Sequence, residues 1–322
     1  MKPILIFFIC VLSTTTSFGQ KPSKTMVDDM SKTIAKLIED NYVLEEKGYE
    51  IADYFLKNLR AGRFYQAKTL KQLDSIMTKT LRESSNDYHL YTWNNKKIVE
   101  QLKVNSEEIE AEEEVTNFFN DSDAYNANFG FEKVDVLSGN IGYIKLNQIN
   151  ISDRSLKKLY ASMALVEHTD ALIIDLRNNG GGGSTIGSVL ETYFLEGYKP
   201  LLEFRSRNGK PKIEYTVGWL LENRYLKPLY VLVNKGTASA AEAFVFALKS
   251  HNRCIAIGQP TSGGAFMNTY FPVNEDFIIA ISTSAPFLPD TNTSWEGKGV
   301  QPDYLTKEED ALSKAIELIR NR

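Results

Sequence analysis

The sequence predicts an α/β protein with a small helical domain ahead of its core. Three stretches near the N-terminus repeat apolar residues at helical spacing, whereas short apolar runs alternate with helical patterns from about residue 128 onwards. Strands that alternate with helices are typical of an α/β core. The 322 residues, 43% of them hydrophobic, are enough for one large or two moderate domains with a buried core.

Residues 1–19 are predicted to be a secretory signal peptide. Lys2 precedes an apolar run from Ile4 to Leu12, and small polar residues lead to a cleavage site expected after Gly19. The run is too short to span a bilayer, and no later segment is apolar for long enough. We therefore expect an exported protein, periplasmic or extracellular, without a membrane span.

Residues 20–91 are predicted to form the helical domain, with an acidic connecting segment at 92–127 that includes Glu107 to Glu114. Three helices are predicted in the helical domain, one from each of the apolar series Met30, Ile34, Leu37, Ile38; Ile51, Phe55, Leu59; and Leu70, Leu73, Met77, Leu81.

Residues 128–322 are predicted to form the core. Alternating segments on either side of Ser138-Gly139-Asn140 predict a β-hairpin. Helical patterns are expected from Ile186 to Phe194, from near Ser239, and from Ala311 to Ile319. The remaining apolar runs predict strands at Ala171–Leu176, Leu229–Val233, Cys254–Ile257 and Phe277–Ile281.

Composition excludes several classes of function. The net charge of −4 argues against nucleic acid as the main partner. Cleavage after Gly19 would leave Cys254 as the only cysteine, so no internal disulfide is expected. Three scattered histidines lack the spacing of metal ligands, and we expect neither a metal nor a cofactor. The oligomeric state stays open.

Ser239 lies where a buried strand turns through small residues into a helix. Backbone N–H groups at the start of a helix are unpaired, so the N–H of Ala240 is placed to hold an oxyanion if Ser239 attacks a carbonyl. Most serines at helix starts only cap the helix. On this stretch alone the helix cap is the favoured interpretation.

The glycine run Gly180–Gly183 follows the strand Ala171–Leu176 and permits close approach of the backbone to a ligand. It is interpreted as a flexible loop, a phosphate-binding loop or part of an oxyanion hole. The spacing of a phosphate-binding loop is not met.

A serine nucleophile needs a base, and His89, His168 and His251 are the candidates. His168 follows a helical pattern, and His251 lies more than two turns from Ser239 on the same helix. Elimination leaves His89, with Glu296 in a Gly/Pro-rich loop as a candidate carboxylate that is equally compatible with a solvated loop.

The segments "DLRNNGGGG" from Asp175 and "VNKGTASAAEAF" from Val233 together resemble the C-terminal-processing (tail-specific) serine peptidase family. "DNYVLEEKGYEIADYFLKNLRAGRFY" and "NFGFEKVDVLSGNIGYIKL" resemble the branch with the tricorn core and interphotoreceptor retinoid-binding protein modules. The resemblance implies a crotonase-like ββα core behind an N-terminal three-helix domain.

The resemblance also implies the site residues. Gly264 stands where processing peptidases have their catalytic lysine, so a Ser–Lys dyad is excluded at that place. The tricorn-like arrangement matches Ser239, His89 and Glu296 instead. Its oxyanion hole would use Gly181 and Ala240, with Gly180 beside them. The residue before the histidine is Tyr88, so the group that orients the ring is open between Tyr88, Asp87 and Glu296.

The connecting segment 92–127 is too short for the PDZ domain that processing peptidases usually carry, so none is expected. The prediction is an exported serine endopeptidase that hydrolyses protein or peptide substrates. The alternative is a non-catalytic module that binds apolar ligands, as retinoid-binding modules of the same architecture do.

Overall fold

The computed structural model describes residues 21–104, 119, 122–207, 209–220 and 223–322. The predicted signal peptide and the acidic stretch from Glu107 to Glu114 lie outside these residues. The helices in chain order are α1 Lys24–Asn41, α2 Glu45–Arg60, α3 Leu70–Ser85, α4 Lys96–Val104, α5 Ser122–Asn126, α6 Leu156–Val166, α7 Val189–Thr192, α8 Ala240–Ser250 and α9 Ala311–Arg320. The strands are β1 Tyr91–Asn94, β2 Phe131–Leu137, β3 Ile141–Leu146, β4 Ile149–Ile151, β5 Ala171–Asp175, β6 Gly182–Ser184, β7 Pro200–Ser206, β8 Lys212–Tyr215, β9 Leu229–Val233, β10 Ile255–Gly258, β11 Met267–Pro272, β12 Phe277–Phe287 and β13 Tyr304–Leu305.

The three N-terminal helices form as their apolar spacing predicts. The Ser23 side chain caps α1 by accepting the N–H of Met26, and Thr69 caps α3 in the same way. Helix α3 ends at Asn86, whose left-handed φ of 55° redirects the chain. This reversal leads directly into the segment that carries His89.

A six-stranded sheet in the order β13-β10-β9-β5-β3-β2 forms the centre of the core. Strands β3, β5, β9, β10 and β13 are parallel, and β2 closes the sheet as the predicted antiparallel hairpin with β3. Strands β5 and β9 are neighbours, and every residue in both is buried. Their carboxyl ends therefore present the following loops at one edge of the sheet.

A second, antiparallel sheet joins the helical region to the core. Strand β12 pairs with β1, β11 and β7, and β8 extends the sheet from β7. The hydrophobic core runs without interruption from α1–α3 into this sheet. The ring of Tyr42 packs edge-on against Phe266, 6.3 Å away, and the Val43 N–H donates to the carbonyl of Ser282. The helical region predicted as residues 20–91 thus shares its core with the rest of the molecule.

The helix expected from Ile186 to Phe194 is much shorter in the structure. Only Val189–Thr192 is helical. Ile186–Ser188 form a bend in which Gly187 has a left-handed φ of 82°, and Tyr193 and Phe194 form a turn. Among the described residues, no helix has the length and apolar character needed to cross a bilayer.

Candidate active site

The loops after β5 and β9 are bound tightly to each other at the carboxyl edge of the sheet. Asn178 and Asn234 exchange two hydrogen bonds of 2.9 Å, one from a backbone N–H and one from a side-chain amide. The Thr237 hydroxyl donates to the carbonyl of Leu176 at 2.8 Å. These hydrogen bonds fix the glycine run against the turn that contains Ser239.

Ser239 lies in a strained turn between β9 and α8. Its backbone has φ 52° and ψ −123°, a combination that costs a non-glycine residue about 1–3 kcal/mol. In α/β-hydrolases the nucleophilic serine also lies on a sharp, strained turn between a strand and a helix, and this turn exposes its hydroxyl oxygen. A Cβ on Gly181 would lie 2.7 Å from the Cβ of Ser239, so only glycine permits this approach of the two loops.

Glu242 stabilises the turn at Ser239. Its side chain is fully buried, and it accepts four hydrogen bonds of 2.5–3.0 Å. One carboxylate oxygen accepts the N–H groups of Ser239 and Gly264, and the other accepts the Thr261 hydroxyl and the Gly263 N–H. The carboxylate therefore ties the start of α8 to the loop at residues 261–264.

The His89 ring lies against that same loop. A Cβ on Gly264 would be 3.1 Å from His89 Cε1 and 3.8 Å from a Glu242 carboxylate oxygen. The absence of a side chain at position 264 therefore makes room for the imidazole. Among the described residues no hydrogen bond joins His89 to Ser239. Catalytic hydrogen bonds are often long until substrate is bound.

Asp87 is the carboxylate nearest to the His89 ring. Its Oδ1 accepts the His89 backbone N–H at 2.8 Å and lies 3.8 Å from Nδ1. Oδ2 accepts hydrogen bonds from the hydroxyls of Tyr42, which directly follows α1, and Ser282 in β12, at 3.1 and 2.6 Å. Burial holds the pKa of His89 below its ordinary value, although Asp87 and Glu242 oppose that shift. The imidazole is thus neutral at physiological pH, and the buried Asp87 carboxylate lies close enough to stabilise its protonated form.

Glu296 lies in the same region, with its carboxylate bound to backbone groups. One oxygen accepts the N–H groups of Ala265 and Phe266 at 2.7 and 3.1 Å. Burial, and then the charges of Asp87 and Glu242, raise the pKa of Glu296 to about 7. Within the described part of the chain it makes no hydrogen bond to the histidine ring.

Tyr88 points away from the centre of the site. Its side chain is 64% exposed and its ring lies 5.6 Å from the guanidinium of Arg82. Among the described residues its hydroxyl has no hydrogen bond to Glu296 or to the imidazole. The bridging role considered for Tyr88 has no geometric support.

The predicted oxyanion donors differ in their present hydrogen bonding. The Ala240 N–H is the first of α8 and has no acceptor among the described residues. The N–H of Gly181 donates to Asn179 Oδ1 at 2.9 Å. Gly180 is exposed, and a Cβ there would meet nothing within 4 Å. Ala240 is therefore free to bind an oxyanion, while Gly181 has to release Asn179 first.

A cavity of about 250 Å³ opens directly beside Ser239 and Ala240. Its walls are mostly apolar, with two carboxylates among them, Glu191 and Glu214. No group of side chains suited to a metal ion occurs among the residues that the structure describes. The site therefore combines a serine turn, a neutral histidine, buried carboxylates and an adjoining cavity.

Two family models match the chain. The model of peptidase family S41 matches residues 140–306, which is more than half of the chain. The chain belongs to peptidase family S41. A second family model, the N-terminal domain of peptidase S41 in eukaryotic IRBP, matches residues 24–137 of this S41 chain.

Relatives and structural neighbours of this S41 chain agree with that membership. The carboxy-terminal-processing protease of Bartonella bacilliformis is 29% identical over 180 residues, covering 53% of this chain and 40% of its own length. The first curated relatives are all longer, and the chain spans 32–42% of their length.

Two solved structures share the fold. A putative peptidase from Parabacteroides merdae superposes with a TM-score of 0.61 at 18% identity, covering 91% of this chain and 96% of its own. The tricorn protease superposes with a TM-score of 0.55 at 14% identity, covering 92% of this chain and 37% of its own.

Two residues of this S41 site were not singled out from the sequence. Glu242 reads as an ordinary acidic residue in the first turn of a helix, which favours negative charge there. Asn179 is hidden in the Asn-Asn-Gly run, yet it is fully buried and donates to the carbonyl of Leu146. The Ser-x-x-Glu spacing of Ser239 and Glu242 is a capping-box pattern, and it was the available signal for Glu242.

Proposed function

We propose that this chain is an exported serine endopeptidase with Ser239 as nucleophile and His89 as general base. The observation that carries the proposal is the strained turn at Ser239, next to an unpaired Ala240 N–H and open to a cavity. A helix cap has no need of that conformation. Export rests on the signal-peptide pattern of residues 1–19.

In the proposed reaction, His89 removes the hydroxyl proton of Ser239 as Oγ bonds to the scissile carbonyl carbon. The Ala240 N–H stabilises the oxyanion, joined by Gly181 when its N–H turns from Asn179. His89 then protonates the leaving amine as the C–N bond breaks. A water molecule, deprotonated by His89, hydrolyses the resulting ester and restores Ser239.

Asp87 is proposed as the carboxylate that stabilises the imidazolium. Its Oδ1 lies 3.8 Å from His89 Nδ1, whereas among the described residues no Glu296 oxygen lies within 4 Å of a ring nitrogen, and hydrogen bonds from Tyr42 and Ser282 fix the orientation of Asp87. Glu296 adds negative charge behind the loop that carries Ala265. The Ser-His-Glu constellation that the resemblance implies thus becomes Ser239, His89 and Asp87, with Glu296 in support.

The test compares the wild type with Ser239→Ala on an unfolded protein substrate, with fragments identified by mass spectrometry. Ser75→Ala, an exposed helical serine, is the matched control. We expect cleavage by wild type and control and none by Ser239→Ala, at unchanged circular dichroism. Equal cleavage by all three would exclude Ser239 as nucleophile. No cleavage by any of them, with binding of retinoids or fatty acids, would favour the apolar-ligand module.

A further inference from the structure

The cavity beside Ser239 carries two acidic side chains on otherwise apolar walls. Leu202 and Phe204 project into it from β7, and Glu214 reaches it from the neighbouring strand β8, opposite Leu202 in the register. Glu191 enters from α7. Within the described residues, no lysine, arginine or histidine lies within 4 Å of either carboxylate.

Other buried polar groups on the cavity wall also lack partners. Ser188 and Trp295 are 4% and 2% exposed, and both line the cavity. Neither Ser188 Oγ nor Trp295 Nε1 has a hydrogen-bond partner in the described part of the chain. Buried polar atoms are usually satisfied, but each of these two atoms exposes less than 1 Å², so they leave the wall incompletely hydrogen-bonded without themselves contacting a ligand.

We propose that this cavity receives the side chain of the substrate residue whose carbonyl is attacked, and that Glu191 and Glu214 select lysine or arginine there. The proposal rests on the proposed function. In the acyl-enzyme that residue is bonded through its carbonyl to Ser239, and Ser239 and Ala240 both line the cavity. The long apolar stem of a lysine or arginine suits the walls, and its cationic head suits the carboxylates.

The size and electrostatics of the cavity support this choice. An apolar cavity of about 150 Å³ holds a benzene ring, so about 250 Å³ accommodates one long side chain. Burial, and then the charge of Glu214, raise the pKa of Glu191 to about 8 in the empty cavity. An entering cation favours the ionised carboxylates, whereas an acidic side chain or a free C-terminal carboxylate is repelled. Lys212, also on β8, lines an adjoining groove with Glu214 and lies outside the cavity itself.

The first test uses peptides that differ only in the residue before the cleaved bond: lysine, its uncharged isostere norleucine, or glutamate. Hydrogen bonds to charged groups are worth about 1.5–3 kcal/mol, so we expect kcat/KM for lysine to exceed that for norleucine by at least about tenfold. Glu191→Gln and Glu214→Gln should each reduce this ratio. Glu196→Gln, an exposed residue near α7, should leave it unchanged. Efficient cleavage with equal kcat/KM for lysine and norleucine would overturn the proposed selectivity and leave the peptidase assignment intact.

The second test measures binding without turnover, in Ser239→Ala protein. Calorimetry with benzamidine and its neutral analogue benzamide should show tighter binding of benzamidine, lost in Glu191→Gln/Glu214→Gln. Equal binding of the two probes, or binding of neither, would overturn the cation pocket whatever the peptide result. Binding of benzamidine through Glu191, without cleavage of any peptide by wild type, would support the pocket and refute the peptidase.

Discussion

Replacement of Glu242 by glutamine tests how the nucleophile turn is held. The carboxylate accepts four hydrogen bonds, two at each oxygen. A glutamine amide placed at the first oxygen would face the N–H groups of Ser239 and Gly264 and lose both. Placed at the second, it would face the Thr261 hydroxyl, which can turn to accept, and the Gly263 N–H, which cannot.

The second orientation is therefore preferred, and it leaves one backbone donor unsatisfied. An unsatisfied buried donor costs about 1–3 kcal/mol. At an unfolding entropy of about 2.1 cal/mol/K per residue, a loss of about 2 kcal/mol in the free energy of unfolding lowers the Tm of a chain of about 300 residues by roughly 3 °C. Because the Ser239 anchor survives in this orientation, Glu242→Gln should keep measurable peptidase activity, whereas Glu242→Ala should lose both stability and activity.

Thermal unfolding followed by circular dichroism, with turnover of an unfolded protein, measures both effects. Glu309→Gln, an exposed acidic residue, is the control for the loss of one charge. If Glu242→Gln unfolded at the Tm of Glu309→Gln, the loss of the hydrogen bond from the Gly263 N–H would cost nothing, and the reasoning would be refuted.

Three further variants test the histidine and its surroundings. Gly264→Ala places a Cβ 3.1 Å from His89 and should lower kcat by about tenfold to a hundredfold, because the imidazole is displaced. The control is Gly197→Ala, whose Cβ meets only the end of a flexible side chain, and equal kcat values for the two variants would argue against the contact. Because the pKa of His89 is lowered, kcat/KM should fall with decreasing pH only below pH 6.5. Asp87→Asn removes a charge that raises this pKa, so the fall should shift to lower pH, and a shift to higher pH would contradict the assignment. Because the pKa of Glu296 is raised in the folded chain, its ionisation makes folding less favourable as pH rises through about 7. Denaturant titrations should therefore show Glu296→Gln gaining stability relative to wild type between pH 5 and 8. A difference in free energy of unfolding that does not change with pH would exclude this ionisation.

The parts of the fold with strong local patterns were predictable from the sequence. Helices α1 to α3 follow uninterrupted apolar spacing, and strands β5 and β9 are continuous apolar runs, so local signals and tertiary packing agree. Strands β7 and β8 were not predicted. Strand β7 pairs with β12, about eighty residues further along the chain, and β8 joins the sheet through β7. Local periodicity carries no information on a partner as distant as β12.

For the site, the sequence supplies candidates where residue types are scarce. Elimination among three histidines makes His89 the candidate base, whereas the strand-to-helix junction alone favours a helix cap at Ser239 and only the resemblance makes it the candidate nucleophile. Glu242 and Asp87 owe their roles to tertiary contacts, in which each carboxylate satisfies donors from distant segments. Acidic residues are common, and their burial is a property of the folded chain.

Reaction with a fluorophosphonate tests the central claim, that His89 activates Ser239, most directly. The reagent forms a stable ester with an activated serine, and mass spectrometry of the digested protein locates the adduct. We predict one adduct, on the peptide that contains Ser239, formed much more slowly in folded His89→Ala. An adduct that forms equally fast in His89→Ala, or no adduct in the wild type under conditions that label other serine hydrolases, would contradict the assignment.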